Sequence, residues 1–583
     1  GIDIRGIARA IVKDVAKGRL AEGGSTITQQ LIKNKLLTGE KTLDRKLKEA
    51  RLAIEYEQKY TKRQILEMYF NEIYFGNGAW GIAQAARIYF DKNPEELTEA
   101  ECSLLAGVPK NPARYNPLGK AALVTTRRDV VLKRMVELKM ITPEKQRYIR
   151  THPAAVVPTN QAPWYLAHIR NTLIERYGQQ VVDQGGIDVT SAMDLNLQKV
   201  AERTLRDGVG KISKQLQGAL ICLDAGSGDV LAAVGGVEYT PGAYDRAFIA
   251  RRQPGSAIKP FIYGAALEMG MTAATVMDDT PVAYDRGNGE AWRPQNYGRE
   301  EYGKLTLRQA LAYSNNVITV KLLDAIGVPY FTQFAGEFGL SLPEAGGLSL
   351  GLGTAEVSLK DLALAYAPLA NGGSRPLART IIRIYNRARK SFSEEPQVAT
   401  PSVSPATAFV VTQMLRDVME YGTAKNLRKF ARKHPSAGKT GTTDDYRDAW
   451  FIGYTPRLVT GVWVGYDLPK TVGRGFTGGA VAAPIWERFM ETALAKAPPE
   501  DFQKPDGVTA ATIDPETVLL ARSGCPEKQE EFFIAGTEPN EYCPVHGGEP
   551  LAPLPAPPLP DNGANDLGGN KLASPDDNDG SAK

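Results

Sequence analysis

The 583-residue chain is too long for one hydrophobic core and reads as at least two domains. Hydrophobic residues at 43% and charged residues at 23%, with 24 Tyr and 17 Phe, exclude a chain that is disordered throughout. The net charge of +4 is unevenly spread, since residues 1–150 hold 28 Lys and Arg against 18 Asp and Glu, so this part favours an anionic partner. No aromatic-interleaved reader pattern accompanies the basic residues, which points to phosphate or lipid headgroups and not to nucleic acid. No apolar run approaches the ~18 residues a spanning helix needs, and no signal-peptide pattern opens the chain. It begins at Gly1 without Met, which reads as a fragment or processed form whose missing piece could carry a membrane anchor.

In chain order, apolar residues at three- and four-residue spacing predict helix almost throughout from Ile7 to Ile149, clearest over Leu43–Tyr60 and Gln64–Tyr74. A first, mostly α domain is expected over 1–150. Pro, Thr and Ala around His152–Pro163 predict a linker, followed to residue 217 by a connecting segment with a helix over Leu195–Val209. At Ala219 the pattern changes to two apolar strands joined by a tight Gly turn. Helices are expected over Ala257–Leu267, Leu305–Leu323 and Leu359–Leu369, then strands over Ala449–Tyr454 and Leu458–Tyr466. Strands at both ends of an internal helical part make residues 218–497 an α+β domain. A less regular extension covers 498–546, and 547–583, rich in Pro, Gly, Asp and Asn, is expected to be disordered. Cys102, Cys222, Cys525 and Cys543 are too widely spaced to suggest a zinc site, and no metal ligand is predicted. Cys525 and Cys543 leave open either a disulfide in an oxidising compartment or two free thiols.

Candidate chemistry lies in three short segments. Ser256-Ala-Ile-Lys259 follows Pro254-Gly255 at the start of a helix, where a spacing of three puts both side chains on one face. A serine hydroxyl is a weak nucleophile until a base takes its proton, and a lysine whose pKa is lowered by burial and nearby cations can be that base. The helix start adds N–H donors where charge develops on an attacked carbonyl. Ser314-Asn315-Asn316 offers a hydroxyl and an amide in a loop or helix end, and Lys439-Thr440-Gly441-Thr442 offers a cation, two hydroxyls and a side-chain-free backbone. Each is common alone. In this order within one domain they resemble the penicillin-binding proteins and serine β-lactamases.

That resemblance implies Ser256 as the acylated nucleophile, Lys259 as its base, Ser314 and Asn316 as the second side of the cleft, and Lys439, Thr440, Gly441 and Thr442 as substrate-binding groups. Of the four histidines, His152 and His168 precede the domain, His546 lies in the extension, and His434, flanked by Arg432, Lys433 and Pro435, is expected on a surface loop, which disfavours a Ser-His-Asp triad. No Glu-x-x-Leu-Asn stretch lies between Ser314 and Lys439, so a deacylating glutamate of the class A β-lactamase kind is not expected. Transpeptidation, with carboxypeptidation as a side reaction and long-lived acylation by β-lactam antibiotics, follows.

The first domain holds Gly23-Gly-Ser-Thr-Ile-Thr-Gln-Gln-Leu-Ile-Lys33, Arg45-Lys46-x-x-Glu49, Ile65-Leu-Glu-Met-Tyr-Phe-Asn71-Glu-Ile-Tyr74-Phe-Gly76 and Arg127-x-x-x-Val131-Leu132. A Gly-rich turn entering a helix is a natural anion site. Spacing alone reads as capped helices with surface ion pairs. Together these segments resemble four of five motifs of lysozyme-like peptidoglycan glycosyltransferases, and with the second domain the chain resembles class A penicillin-binding proteins of type 1A. The resemblance implies Lys33, Arg45 and Lys46 on phosphates, Gln30 lining the site and Glu49 as a second functional carboxylate. Gly1 resembles the end of the family's first motif, so the glutamate that supplies the catalytic base falls upstream and glycosyl transfer is expected to be impaired in this chain. The implied partners are lipid II, nascent peptidoglycan, the membrane surface and other cell-wall synthesis proteins, at the periplasmic side of a bacterial inner membrane. No cofactor is implied for transpeptidation, and a divalent cation, magnesium, for glycosyl transfer. A β-lactam sensor or lipid II-binding scaffold without turnover is the alternative.

Overall fold

The computed structural model describes residues 25–36, 43–77, 79–156, 161–184, 187–285, 291–386, 390–468 and 470–551. Gly1 and residues 552–583 lie outside them. The first unit is helical, with α1 (Ile27–Leu36), α2 (Leu43–Lys59), α3 (Lys62–Glu72), α4 (Ile82–Phe90), α5 (Glu99–Gly107) and α6 (Ala121–Glu137). Thr61 caps α3 and Thr98 caps α5, each in a reciprocal capping box with Gln64 or Glu101, which satisfies N–H groups that have no partner within the helix. Leu31, Ile65, Tyr69, Phe75, Tyr89 and Leu105 form part of a core of their own.

The second unit is built on an antiparallel sheet. Its strands are β1 (Gln217–Asp224), β2 (Val230–Val234), β3 (Ala437–Thr442), β4 (Asp448–Tyr454) and β5 (Leu458–Gly465), in the order β3-β4-β5-β1-β2. Both ends of the segment meet where β1 pairs with β5, Leu220 facing Val462. The inner strands are apolar on both faces because helices cover both sides. Leu195–Gly210 and Ala482–Ala493 pack together against one side. Leu359–Ala365 and Pro405–Glu420 pack against strands of the same sheet, and Lys259–Glu268 packs on Pro405–Glu420 and Asn316–Ile326. Trp164 and Tyr165, from helix Pro163–Tyr177, belong to this core, and the Tyr165 hydroxyl donates to Val230 O at 2.7 Å.

Several elements depart from expectation. The helix expected over Leu305–Leu323 is a short strand, Lys304–Thr306, then helices Leu307–Ala312 and Asn316–Ile326 broken at Ser314, whose φ is +58°. Lys439-Thr-Gly-Thr, which the sequence pattern does not mark as strand, is part of the edge strand β3. Its two glycines explain the weak strand signal. His434 is 6% exposed, because Arg432 and Arg428 turn outward to Glu420 while the imidazole tilts onto Phe430. Residues 547–551 are ordered, with Arg522 bridging Pro550 and Glu549 N donating to Ser523 Oγ at 3.0 Å.

The extension forms a hairpin, Val508–Ile513 with Gln529–Ile534. Its Glu531, 1% exposed, accepts both guanidinium arms of Arg308 at 2.7 and 2.5 Å, while Asp417 takes a third bond at 2.9 Å. Breaking a buried pair strands a charge, whereas an exposed pair such as Arg416–Asp501 contributes about 0–1 kcal/mol. Glu531→Ala is expected to lower stability by about 3–5 kcal/mol in urea unfolding, against less than about 1 kcal/mol for Asp501→Ala. Equal, small effects would contradict the pairing.

Candidate active site

Ser256 sits in the 3-10 turn Gly255–Ile258, which runs directly into helix Lys259–Glu268. The turn is pinned from three sides. Tyr366 Oη donates to Ala257 O at 2.6 Å, and Trp450 Nε1 to Gln253 O at 2.9 Å. A Cβ at Gly255, with φ +55°, would stand 2.4 Å from Thr442 O, and one at Gly441 would stand 2.3 Å from Pro254 O. Only glycine lets β3 lie this close to the serine turn.

Lys259 and Lys439 are both fully buried. The Lys259 ammonium donates to Ser314 O at 2.6 Å, Asn316 Oδ1 at 2.7 Å and Asn315 O at 3.1 Å, with Ser314 Oγ at 3.4 Å. Lys439 reaches the same Ser314 Oγ at 2.9 Å and Thr440 O at 3.1 Å. One hydroxyl therefore stands between two amines. Burial pushes the Lys439 amine down to about 7. Burial first, and the Lys439 charge second, push Lys259 well below the usual lysine range. Three oxygen acceptors work against this by favouring the ammonium, but two unit charges bound to one hydroxyl, so no more than about 6 Å apart, repel by at least about 3 kcal/mol at an effective dielectric of about 20, and burial acts in the same direction.

Sequence reasoning missed a buried support for the Ser314 turn. Asp279, 2% exposed, accepts from Asn296 Nδ2 (2.9 Å), Asn315 Nδ2 (3.1 Å), Tyr302 N (2.8 Å) and Gly303 N (2.8 Å). Asn296 Oδ1 in turn accepts from Asn316 N at 2.8 Å, and Asn316 Nδ2 donates to Gln295 O at 2.8 Å, which fixes the amide with its oxygen toward Lys259. No local signal marks Asp279 or Asn296.

Ser256, Ser314, Asn316, Thr440 and Thr442 line one cleft of about 520 Å³, with Asn296, Thr423, Tyr297 and Tyr446 among its other walls. Thr440 Oγ1 and Thr423 Oγ1 are 2.7 Å apart, and Thr442 Oγ1 accepts from Gly478 N at 3.1 Å. No hydrogen bond joins Ser256 Oγ to Lys259 in this structure, where the Lys259 nitrogen faces three oxygen acceptors of the Ser314 turn. His434 is not among the lining residues.

In the helical unit, Gln30 on α1 accepts from Tyr69 Oη of α3 at 3.2 Å, and its own Nε2 donates to Ser25 O at 3.3 Å. Lys33 is exposed on α1 and Glu49 is 1% exposed on α2. Arg45 and Lys46 fall on α2, and their side chains lie outside the description. Arg127 Nε donates to Gly107 O at 3.2 Å, joining α6 to α5.

A helix-covered antiparallel sheet with a cleft that gathers a serine and a Ser-x-Asn turn, backed by two buried lysines that do not themselves line it, defines a penicillin-binding transpeptidase fold. Residues 1–136 match the Transglycosylase family model, 218–491 the Penicillin binding protein transpeptidase domain, and 504–548 the Penicillin-binding protein 1A C-terminal domain. Penicillin-binding protein 1A of Aquifex aeolicus is 35% identical over 93% of this chain and 86% of its own, and that of Neisseria lactamica 34% identical over 88% and 78%. The crystal structure of penicillin-binding protein 1A from Haemophilus influenzae shares the fold, with TM-score 0.67 at 24% identity over 88% of this chain and 94% of that one. PonA1 from Mycobacterium tuberculosis in complex with penicillin V superposes with TM-score 0.52 at 26% identity, over 58% and 95%. The chain belongs to the penicillin-binding protein 1A family, bifunctional peptidoglycan synthases that carry glycosyltransferase and transpeptidase units.

The lowered Lys439 pKa has a stability consequence. Between about 7 and 10.5 the unfolded chain holds a proton on this amine that the folded chain has released, so stability rises with pH across that window. The difference in unfolding free energy between wild type and Lys439→Met is therefore expected to grow in favour of wild type from pH 7 to 10. A pH-independent difference would contradict the burial argument.

Proposed function

We propose that Ser256 is the nucleophile of the transpeptidase unit and Lys259 its base. The observation that supports this most directly is the pair of buried amines that bracket Ser314 beside the Ser256 turn. A lysine held neutral can take the Ser256 proton as Oγ attacks the carbonyl of a stem peptide's penultimate residue. The proton passes to the departing D-alanine amine, through Ser314 or directly, and an ester forms as the amide bond breaks. In the second half an acceptor amine attacks the ester, its proton returns by the same route, and the hydroxyl of Ser256 is restored. Thr440 and Thr442 line the side where a terminal carboxylate would be held, with Lys439 buried behind them and Gly441 letting the peptide lie along β3. Asn316 positions the peptide and orients Lys259. A β-lactam is opened by the same attack, and its leaving nitrogen stays tethered, so the acyl-enzyme persists.

In the helical unit, Lys33, Arg45 and Lys46 are proposed to hold the pyrophosphate of lipid II, with Gln30 and Glu49 lining the acceptor side. Magnesium is proposed to come to this unit bound to the substrate pyrophosphate, whose charge it would offset. No described helix is long and apolar enough to cross a membrane. Work at the membrane surface, on the periplasmic side, is proposed from the lipid-linked substrate and the basic charge of residues 1–150.

Intact-mass labelling with penicillin separates these roles. Wild type is expected to take one adduct without turnover, Ser256→Ala none, and Lys259→Met to acylate roughly 10²–10⁴-fold more slowly. In the same protein, Glu49→Gln should leave labelling intact and weaken any lipid II polymerisation. Labelling that survives in Ser256→Ala, or rapid release of hydrolysed antibiotic, would sink the reading.

A further inference from the structure

The extension beyond the transpeptidase unit holds four side chains that no part of the acyl-transfer chemistry uses. Asp514, Cys525, Cys543 and His546 each present one ligand atom, and these atoms all lie within 4.8 Å of one another. Cys543 Sγ donates to Asp514 Oδ2 at 2.8 Å and lies 3.3 Å from His546 Nδ1, which is itself 3.0 Å from Asp514 Oδ2. Both cysteines are free thiols and are buried, at 2% and 0% exposure, as is Asp514 at 1%. This differs from the sequence expectation that the cysteines were too dispersed to share a site. Cys543 and His546 sit on one turn, and the chain's path around the hairpin brings in the other two.

We propose that this cluster binds a single zinc ion as a tetrahedral site of two thiolates, one imidazole and one carboxylate, and that the ion holds the extension together. With zinc–ligand bonds of about 2.0–2.3 Å, the edges of such a tetrahedron are about 3.3–3.8 Å. The observed separations of 2.8–3.3 Å among three of the atoms need to open by only a few tenths of an ångström or slightly more. Binding exchanges the two thiol protons for the ion and releases them to solvent, with Asp514 ionised and His546 neutral. The ligand set selects zinc over magnesium or calcium, which prefer oxygen alone.

Three further observations point to a metal and not to a disulfide. Backbone N–H groups are aimed at both sulfurs, Arg522 N at Cys525 Sγ (3.2 Å) and His546 N at Cys543 Sγ (3.4 Å), which suits two thiolates. His546 turns Nδ1 toward the cluster and Nε2 toward Glu516, 3.6 Å away, the outer carboxylate that commonly orients a metal-bound imidazole. A disulfide would use the two sulfurs and leave His546 and Asp514 converging on nothing. The fold also needs a staple: the extension is a two-stranded hairpin with small local cores, one made of Ala274, Ala511, Ile513 and Phe533. So small an element seldom supplies enough apolar burial alone.

The test uses the full chain, purified under reductant, freed of metal and titrated first with Zn(II) and then with Co(II). One equivalent is expected to bind, with intense visible bands and thiolate-to-cobalt charge transfer of a tetrahedral sulfur-containing site. Zinc should shield Cys525 and Cys543 from alkylation but not the exposed Cys102. Cys543→Ser should abolish stoichiometric binding. Glu516→Gln, which keeps all four ligands and a solvent-facing position, should weaken zinc by about 10–100-fold. A Cys525–Cys543 disulfide in the unreduced chain, or a reduced chain that binds no zinc, would overturn the proposal. Penicillin labelling of Ser256 is independent of either result.

Discussion

Two ammonium groups cannot share one dry pocket cheaply, and the transpeptidase unit is organised around that conflict. Lys259 and Lys439 are wholly enclosed, with a single hydroxyl between them. Burial penalises the charge on each, and for Lys259 the neighbouring charge adds to the penalty. Both shifts favour fewer protons on the pair than two lysines hold in water. A neutral amine beside a serine is what nucleophilic attack requires.

Such a pocket relaxes unless its walls are fixed, and the supports are distributed across the fold. Asp279 gathers four donors and, with Asn296, fixes the turn that presents Ser314 and Asn316. Gly255 and Gly441 allow the serine turn and β3 to approach to backbone contact. Arg308, on the helix that leads into the Ser314 turn, is tied to Glu531 of the extension. The extension thus reaches the active-site wall through one buried ion pair, and a zinc staple within it would stiffen the same route.

The legible part of the sequence was local. Ser256 and Lys259 could be paired because a helical spacing of three needs no tertiary information, and β1, β2, β4 and β5 were visible as apolar runs bounded by turns. What escaped depended on distant contacts. A loop or helix end at Ser314-Asn315-Asn316 is legible, but the left-handed backbone of Ser314 that shapes it is not announced by apolar periodicity. β3 carries Lys, Thr and two Gly, and is strand only because β4 pairs with it and the serine turn covers it. Asp279 and Asn296 look like ordinary turn residues until the fold buries them. His434 is buried although Arg432 and Lys433 precede it, because consecutive residues at a helix end face different ways. The cysteine cluster was unreadable because Asp514 carries no motif.

The claim on which all of this rests is that the amine proposed as the base for Ser256 is uncharged when it acts. The rate of acylation by penicillin, measured from pH 5 to 10, tests it most directly. A base held neutral by its pocket predicts a rate that climbs with pH and levels off well below 10.5, the ordinary lysine value. A rate still climbing at pH 10, with no plateau before that ordinary value, would contradict the account.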